Sequence, residues 1–166
     1  MQRLQGHAAS LGRAQEHMMT RTINAYGIIP DVFATARRLN GDIEGLGLDM
    51  TLVELVKTRA SQINGCAYCV HMHGGDAVKK YGEKPERLYL LPTWRESPAF
   101  DARERAALAY AEAMTRMDDH AALVRASAAL DEHFSEKEVV ALTALLAMIN
   151  FWNRIAVGFG TQHAPV

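Results

Sequence analysis

The sequence NGCAYCVHMH, at residues 64–73, holds both cysteines of the chain and two of its seven histidines. Cys66 and Cys69 lie three residues apart, and His73 follows Cys69 by four. The Asn-Gly pair that opens the stretch tolerates positive φ, so it predicts the end of one helix. A second helix is expected to begin at about Cys66. The most reactive side chains of the protein therefore stand at a predicted helix start.

Outward from this stretch, apolar residues recur at spacings of three and four, and the alternation typical of strands is scarce. The pattern predicts an all-α fold of about six or seven helices. In the strongest predicted helix the apolar side chains Leu52, Leu55 and Val56 share one broad face. Residues 85–98 are expected to be irregular. The predicted helices cover residues 18–25, 32–39, 50–63, 66–80, 101–116, 119–133 and 135–157.

Composition limits the class of protein. The 166 residues suffice for one domain but hardly for two, and 49% hydrophobic with 22% charged residues is ordinary for a globular protein. With 18 basic and 19 acidic residues the net charge is −1, and no basic stripe indicates nucleic acid or a membrane surface as partner. The N-terminus lacks the apolar core of a secretory signal, and no run approaches the ~18 apolar residues of a membrane span. We therefore expect a cytoplasmic protein, in which a disulfide serves catalysis more often than structure.

A zinc site is the first alternative for the cysteine stretch. On a helix of about 100° per residue, Cys69 and His73 lie at about 300° and 340° from Cys66, so these three side chains share one edge. His71 lies at about 140°, away from that edge. A tetrahedral zinc ion needs four convergent ligands, and the chain has no third cysteine to complete the set. The spacing therefore argues against a metal.

A redox dithiol fits the spacing better. In a Cys-x-x-Cys pair one thiolate attacks and the other resolves the product as an intramolecular disulfide. An unperturbed thiol, with a pKa of about 8.5, is only a few per cent thiolate at pH 7 and needs help to react. The helix start favours a thiolate at Cys66, whereas His73 can accept the proton of Cys69. These two cues leave the identity of the attacking sulfur open.

Simpler interpretations exist for the same residues. Buried free cysteines are common as small hydrophobic side chains, and His73 would then be a satisfied core or surface histidine. Glu54, in the preceding helix, would be an exposed carboxylate. Two cysteines at this spacing, with a histidine four residues later, nevertheless favour the redox interpretation.

The stretch RASQINGCAYCVHMH, at residues 59–73, resembles the core of the alkylhydroperoxidase D-like proteins of the carboxymuconolactone decarboxylase superfamily. The family pattern is a Glu twelve residues before the first Cys, then Cys-x-x-Cys, then a His four residues after the second Cys. Glu54, Cys66, Cys69 and His73 stand at this spacing. The segments GEKPERLYLLPTWRESPAF, ARERAALAYAEAMT and INFWNRIAV resemble the peroxidase-related branch, so the likeness spans a single-domain core at about residues 28–157.

This resemblance implies an all-α protein that forms a homo-oligomer, often a trimer or hexamer, and that reduces hydroperoxides without metal, haem or flavin. In the peroxidase members the second cysteine attacks the peroxide and the first resolves, so Cys69 would be peroxidatic and Cys66 resolving. The Glu and His of the pattern relay the proton, a role that falls to Glu54 and His73. The implied substrate is an organic hydroperoxide or hydrogen peroxide, and the implied reductant is a lipoyl-type or thioredoxin-type dithiol.

One position departs from the pattern. Well-known peroxidase members carry a His at the second position between the cysteines, where this chain has Tyr68. A tyrosine can donate a hydrogen bond but is no base near neutral pH, so a mechanism that needs that imidazole does not transfer. Two alternative functions remain: a non-enzymatic oligomeric redox sensor, and acid–base chemistry on a small lactone or carboxylate by His73 and Glu54. Retention of both cysteines argues against lactone decarboxylation.

Other polar and aromatic residues are expected to be structural. Trp94 and Arg95 are assigned to packing in an irregular connection rather than to a substrate pocket or an oligomer contact. Hydrogen bonds that hold the cysteine-bearing helix in place are expected from the last helix, through Asn150, Trp152, Asn153 and Arg154. The scattered histidines are expected to be solvated: His7, His17, His120, His133 and His163.

Overall fold

The computed structural model describes residues 23–165, which contain eight α-helices, one short 3₁₀-helix and no β-strand. The predicted all-α class is therefore confirmed. Two of the eight helices have only four and six residues, too short for apolar periodicity to register. The helices are α1 Ala25–Ile28, α2 Pro30–Glu44, α3 Met50–Ile63, α4 Ala67–Tyr81, α5 Pro85–Leu90, α6 Ala102–Arg116, α7 His120–Ala128 and α8 Glu136–Gly158.

Helix α3 lies at the centre of the fold. Asp49 caps its start, because its side chain accepts a hydrogen bond of 3.0 Å from the backbone N–H of Leu52. Every residue from 52 to 61 is buried, the charged ones included. The helix packs against α4, α6 and α8, and these contacts bury a charged segment that alone would prefer water.

A tight turn joins α3 to α4. Asn64 ends α3, and Gly65 adopts φ 67°, a left-handed conformation that glycine reaches without steric cost. The chain then reverses, so that α4 packs back along α3 and against α8. The predicted helix end at the Asn-Gly pair is confirmed. The turn places the first turn of α4 beside the last turn of α3.

Helix α8 is the longest helix of the described chain. By length and composition it could cross a membrane, but 50% of its most apolar window is buried inside the protein. It packs against α2, α3 and α6, and its buried side chains include Leu142, Leu145 and Ile149. These contacts identify α8 as a core helix.

Capping boxes begin two of the helices. Asp101 caps α6, and the Glu104 side chain reaches back to the Asp101 backbone. Ser135 and Glu138 form the same reciprocal pair at the start of α8. Each box satisfies backbone N–H groups that have no partner within the helix, which explains why both starts fall where the sequence indicated.

Three boundaries differ from expectation. The predicted helix 32–39 extends to Pro30–Glu44, because proline is favoured in the first turn of a helix. The region 85–98, expected to be irregular, contains α5 and a 3₁₀-turn at Leu91–Thr93. Helix α7 ends at Ala128 rather than at 133, and the turns that follow bury Leu130 and Phe134. The predicted helix 18–25 begins outside the described residues.

Candidate active site

The two cysteines form a disulfide at the start of α4, with their Cα atoms 5.3 Å apart. Cys66 is the N-cap of the helix rather than part of its first turn, and its sulfur accepts a 3.3 Å hydrogen bond from the backbone N–H of Cys69. Both residues are 2% exposed and pack against Ala156 of α8. The Cys-x-x-Cys spacing therefore allows the pair to close without unwinding the helix.

Glu54 and His73 are in direct contact across the interface between α3 and α4. The His73 Nδ1 atom lies 2.8 Å from Oε2 of Glu54, and both residues are buried. A carboxylate can only accept a hydrogen bond, so Nδ1 carries the proton and Nε2 is left as the basic nitrogen. The carboxylate thus fixes the orientation and the tautomer that a histidine base requires.

Cys69 and His73 line the same cavity as Glu54. This cavity has a volume of about 400 Å³ and lies between α4, α3, α2 and α8. Cys69 and His73 are four residues apart on α4 and so share one side of the helix. Three of the four residues singled out in the sequence therefore converge, whereas Cys66 lies outside the cavity lining.

Lys57 is a member of this site that the sequence analysis missed. Its Nζ atom donates to Oε1 of Glu54 at 3.3 Å and forms a second, shorter ion pair with Glu44 of α2. The Lys57 side chain is only 4% exposed. Glu54 is thus held between a lysine and a histidine. The only sequence signal was the position of Lys57, three residues after Glu54 on a predominantly apolar helix.

Aromatic and charged side chains share the remaining cavity wall. Tyr26, Tyr68 and Trp152 line it, and the indole N–H of Trp152 donates to Asn40 at 3.3 Å. Burial raises the pKa of Tyr26, the neighbouring Tyr68 adds to the increase, and Arg37 opposes it. The Tyr26 hydroxyl therefore stays protonated at neutral pH. The position that departs from the family pattern, Tyr68, borders the cavity beside Cys69.

The turn before Cys66 is fixed by hydrogen bonds to α8, as predicted for Asn150 and Asn153, whereas Trp152 donates to Asn40 of α2 and Arg154 to Asn150 of its own helix. The Asn64 side chain donates to Asn150 at 2.9 Å and to Asn153 at 2.8 Å. Asn153, which is 1% exposed, donates in turn to the Ser61 hydroxyl at 3.0 Å. Since Asn64 precedes the cysteines by two residues, these bonds position the start of α4.

Trp94 and Arg95 lie on the other side of α3. The Trp94 indole N–H donates to Glu112 at 3.0 Å, and Arg95 and Arg59 each pair with the same carboxylate at 2.7 Å. Burial raises the pKa of Glu112, but hydrogen bonds from Arg95, Trp94 and Arg59 outweigh it and lower the pKa to about 2. The buried Trp94 has the structural role that the sequence predicted.

His71 does not line the cavity that His73 and Cys69 border. Within residues 23–165, no group of three or more His, Cys, Asp or Glu side chains has a geometry that could hold a metal ion.

Known proteins resemble this chain over most of its length. The model of the carboxymuconolactone decarboxylase family matches residues 30–113. The uncharacterised protein YdfG of Bacillus subtilis (strain 168) is 32% identical over 146 residues, which span 88% of this chain and 99% of YdfG.

Solved structures share the fold. A protein of unknown function from Agrobacterium tumefaciens, described provisionally as the antioxidant defence protein AhpD, is 37% identical with a TM-score of 0.83, over 89% of this chain and 100% of that one. An uncharacterised peroxidase-related protein from Silicibacter sp. TM1040 has a TM-score of 0.68 at 22% identity, over 83% of this chain and 73% of that one. The second likeness shows the fold alone. The alkylhydroperoxidase D-like fold expected from the sequence is confirmed.

Proposed function

The chain belongs to the carboxymuconolactone decarboxylase family, and from that premise we propose that it is a thiol-dependent hydroperoxide reductase. The observation that carries the proposal is the 2.8 Å contact between His73 and Glu54 in a cavity that Cys69 also lines. A buried, oriented imidazole beside one sulfur of a Cys-x-x-Cys pair is the arrangement that a peroxidatic thiol requires.

In the first step Cys69 attacks the peroxide. His73 accepts the thiol proton at Nε2, while Glu54 stabilises the resulting imidazolium through Nδ1–H. The thiolate sulfur then attacks the terminal peroxide oxygen, the O–O bond breaks, and the sulfur becomes a sulfenic acid. The leaving alkoxide takes the proton from His73 and departs as an alcohol, or as water when the substrate is hydrogen peroxide.

In the second step Cys66 resolves the sulfenic acid. Its sulfur attacks the Cys69 sulfur, hydroxide leaves and is protonated to water, and the disulfide forms. Cys66 is suited to this role because it stands at the N-cap, where its sulfur already lies near the backbone N–H of Cys69. A lipoyl-type or thioredoxin-type dithiol then returns both cysteines to thiols. This cycle needs the reducing conditions of the cytoplasm, the compartment that the sequence predicts.

The cavity favours a substrate with an apolar or aromatic body. Tyr26, Tyr68, Met72 and Trp152 form apolar and aromatic parts of the cavity wall, and an organic hydroperoxide would bury its body against them. Organic hydroperoxides are therefore the preferred substrate class, with hydrogen peroxide as a poorer one. A homo-oligomer, as trimer or hexamer, remains part of the proposal from the family resemblance.

Counting free thiols by mass spectrometry tests the function. The reduced protein is treated with one equivalent of cumene hydroperoxide, and rapid loss of both thiols with formation of the Cys66–Cys69 disulfide is expected. The Cys66→Ser variant should accumulate a sulfenic acid, and Cys69→Ser should not react faster than free cysteine. Full peroxidase activity in Cys69→Ser would reject the mechanism. Fast disulfide formation that no dithiol reverses would instead favour the redox sensor.

Acid–base chemistry is a second candidate, because the Glu54–His73 pair and Lys57 are assembled without any contribution from the thiols. Such a site could remove a proton from a small lactone or carboxylate substrate. Alkylation of both cysteines separates the two functions, since only acid–base activity would survive it.

A further inference from the structure

A second pocket lies beside the start of α4, apart from the cavity that holds Cys69. It is a shallow groove of about 540 Å³, lined by Cys66 together with Ala67, Val70, His71 and His163. No residue of the described chain lines both the groove and the cavity that holds Cys69. The two cysteines of the disulfide therefore border different pockets: Cys66 lines the groove and Cys69 lines the cavity.

The helix explains the separation. At about 100° per residue, His73 and Asp76 lie within about 40° of Cys69, on the side of α4 that faces the cavity. Ala67 and His71 lie about 160° from Cys69, on the opposite side. Cys66 stands before the first turn as the N-cap, so its side chain can border the groove while bonded to Cys69.

Because the two cysteines border different pockets, the side from which a thiol approaches determines which sulfur it attacks. In thiol–disulfide exchange the attacking thiolate, the attacked sulfur and the leaving sulfur stand in one line. Attack from the groove side therefore falls on Cys66 and expels Cys69. The expelled Cys69 thiolate is then the one that shares the cavity with His73, whose imidazole can pass a proton from solvent to it.

We infer that the reducing dithiol binds in the groove and attacks Cys66, so that the peroxide and the reductant reach the disulfide from opposite sides of α4. This inference rests on the proposed function, because it assigns the reductive half of that cycle. It adds a second site with its own residues, Ala67, Val70, His71 and His163, which the oxidative half does not use.

Each step balances. A thiolate of the reductant attacks the Cys66 sulfur, the Cys66–Cys69 bond breaks, and Cys69 leaves as a thiolate. Because His73 gave its proton to the alkoxide in the oxidative half, it takes a proton from solvent at Nε2 and passes it to the Cys69 thiolate. The second thiolate of the reductant then attacks the first reductant sulfur, and Cys66 leaves as a thiolate that is protonated. The reductant loses two electrons and two protons and becomes a disulfide, and the protein regains two thiols.

His71 and His163 provide the base on the groove side. Their rings stack with centroids 4.7 Å apart and an angle of 17° between the planes. His163 is partly exposed, and its contact with His71 shows that it does not stand alone. An imidazole beside Cys66 can accept the proton of the incoming thiol and later return it to the departing Cys66 sulfur.

The lining also indicates the class of reductant. Ala67 and Val70 are small and apolar, and no Lys, Arg, Asp or Glu of residues 23–165 lines the groove. A neutral dithiol on an aliphatic arm matches such a surface better than a charged thiol does. Dihydrolipoamide has this chemistry and is the probe for the experiment.

Separate measurement of the two half-reactions tests the inference. The disulfide form is prepared with diamide, so its reduction by dihydrolipoamide is measured whether or not a hydroperoxide can oxidise the protein. Ala67→Trp fills the groove and should slow this reduction by at least about tenfold while oxidation by cumene hydroperoxide keeps its rate. Met72→Trp fills the cavity instead and should slow oxidation alone. Lys137→Trp, on an exposed position of α8, controls for the added indole and should change neither rate.

The site of the mixed disulfide gives an independent answer. The oxidised protein is treated with 2-mercaptoethanol, quenched with acid, alkylated and mapped by mass spectrometry. The adduct is expected on Cys66. An adduct on Cys69, or wild-type reduction in Ala67→Trp, would overturn the inference. So would steady-state inhibition by excess dihydrolipoamide that is competitive with the hydroperoxide, because separate sites do not compete.

Discussion

The Nδ1 atom of His73 lies 2.8 Å from Oε2 of Glu54, although the two residues are 19 positions apart in the chain. The contact exists because the turn at Asn64 and Gly65 folds α4 back along α3. Both partners are at least nine-tenths buried, so water does not compete for the hydrogen bond. In the proposed mechanism Glu54 acts on the sulfur through the imidazole, as a positioning residue.

The Glu54→Gln variant tests this role. Without the carboxylate, His73 loses the partner that fixes its tautomer and stabilises its protonated form, so oxidation of the dithiol by cumene hydroperoxide should slow by about 100-fold. Stopped-flow measurement of the reduced protein gives the rate, and its pH profile should change shape as well. Glu86→Gln, at an exposed carboxylate of α5, is the control and should keep the wild-type rate. A folded Glu54→Gln protein with an unchanged rate would exclude the relay.

Lys57→Met tests the buried ion pairs behind the relay. The substitution leaves the carboxylates of Glu44 and Glu54 close together without a cation, so the free energy of unfolding should fall by about 3 kcal/mol. Urea unfolding monitored by circular dichroism measures the loss. Adding Glu44→Gln to Lys57→Met removes one of the two charges and should restore part of the stability. If the double variant is no more stable than the single one, repulsion between the carboxylates is not the cause.

The ionisation of Glu112 makes the free energy of unfolding depend on pH. Burial opposes ionisation, yet hydrogen bonds from Arg95, Trp94 and Arg59 lower the pKa of Glu112 from 4.5 to about 2. Because the pKa is lower in the folded state, the stabilisation is complete above about pH 4.5 and is lost as the pH falls towards 2. Glu112→Gln should therefore cost about 3 kcal/mol at pH 7 and less than half of that at pH 3. Urea unfolding of both proteins at the two pH values checks this, and a difference independent of pH would contradict it.

Two helix ends provide a matched pair of stability tests. Met117 ends α6 at φ 52°, a conformation that strains a residue with a side chain, and it is 68% exposed. Met117→Gly should raise the free energy of unfolding by about 1 kcal/mol. Gly82 ends α4 at φ 73°, and Gly82→Ala should lower it by about the same amount. Thermal unfolding measures both changes, which must have opposite signs if backbone strain is the cause.

Local signals in the sequence sufficed for the longer helices and for most of their starts. The range of α3 and the helix starts at Asp101 and Ser135 were predictable because each depends on residues within one or two turns. The end of α7 was not, because burial of Leu130 and Phe134 competes there with helix propensity. Helix α5 escaped prediction because six residues carry too little periodicity.

Some residues of the cavity could be identified from the sequence, and others could not. The spacing in the sequence singled out Glu54, Cys69 and His73, which line the cavity, and Cys66, which does not. Glu44, Trp152 and Tyr26 could not be found from spacing, because they reach the cavity from α2, α8 and α1. Side chains from three separate helices meet only after the helices pack.

The sequence by itself determined the all-α class, the turn before the cysteines and the placement of both sulfurs at one helix start. These features follow from periodicity, from glycine's backbone freedom and from helix capping, all of which act over a few residues. Only the tertiary structure decided that Lys57 lies between Glu44 and Glu54, and that Cys66 borders the groove whereas Cys69 borders the cavity. The physical reason is that burial and ion pairing depend on which helices pack together, and α3 contacts partners from both halves of the described chain.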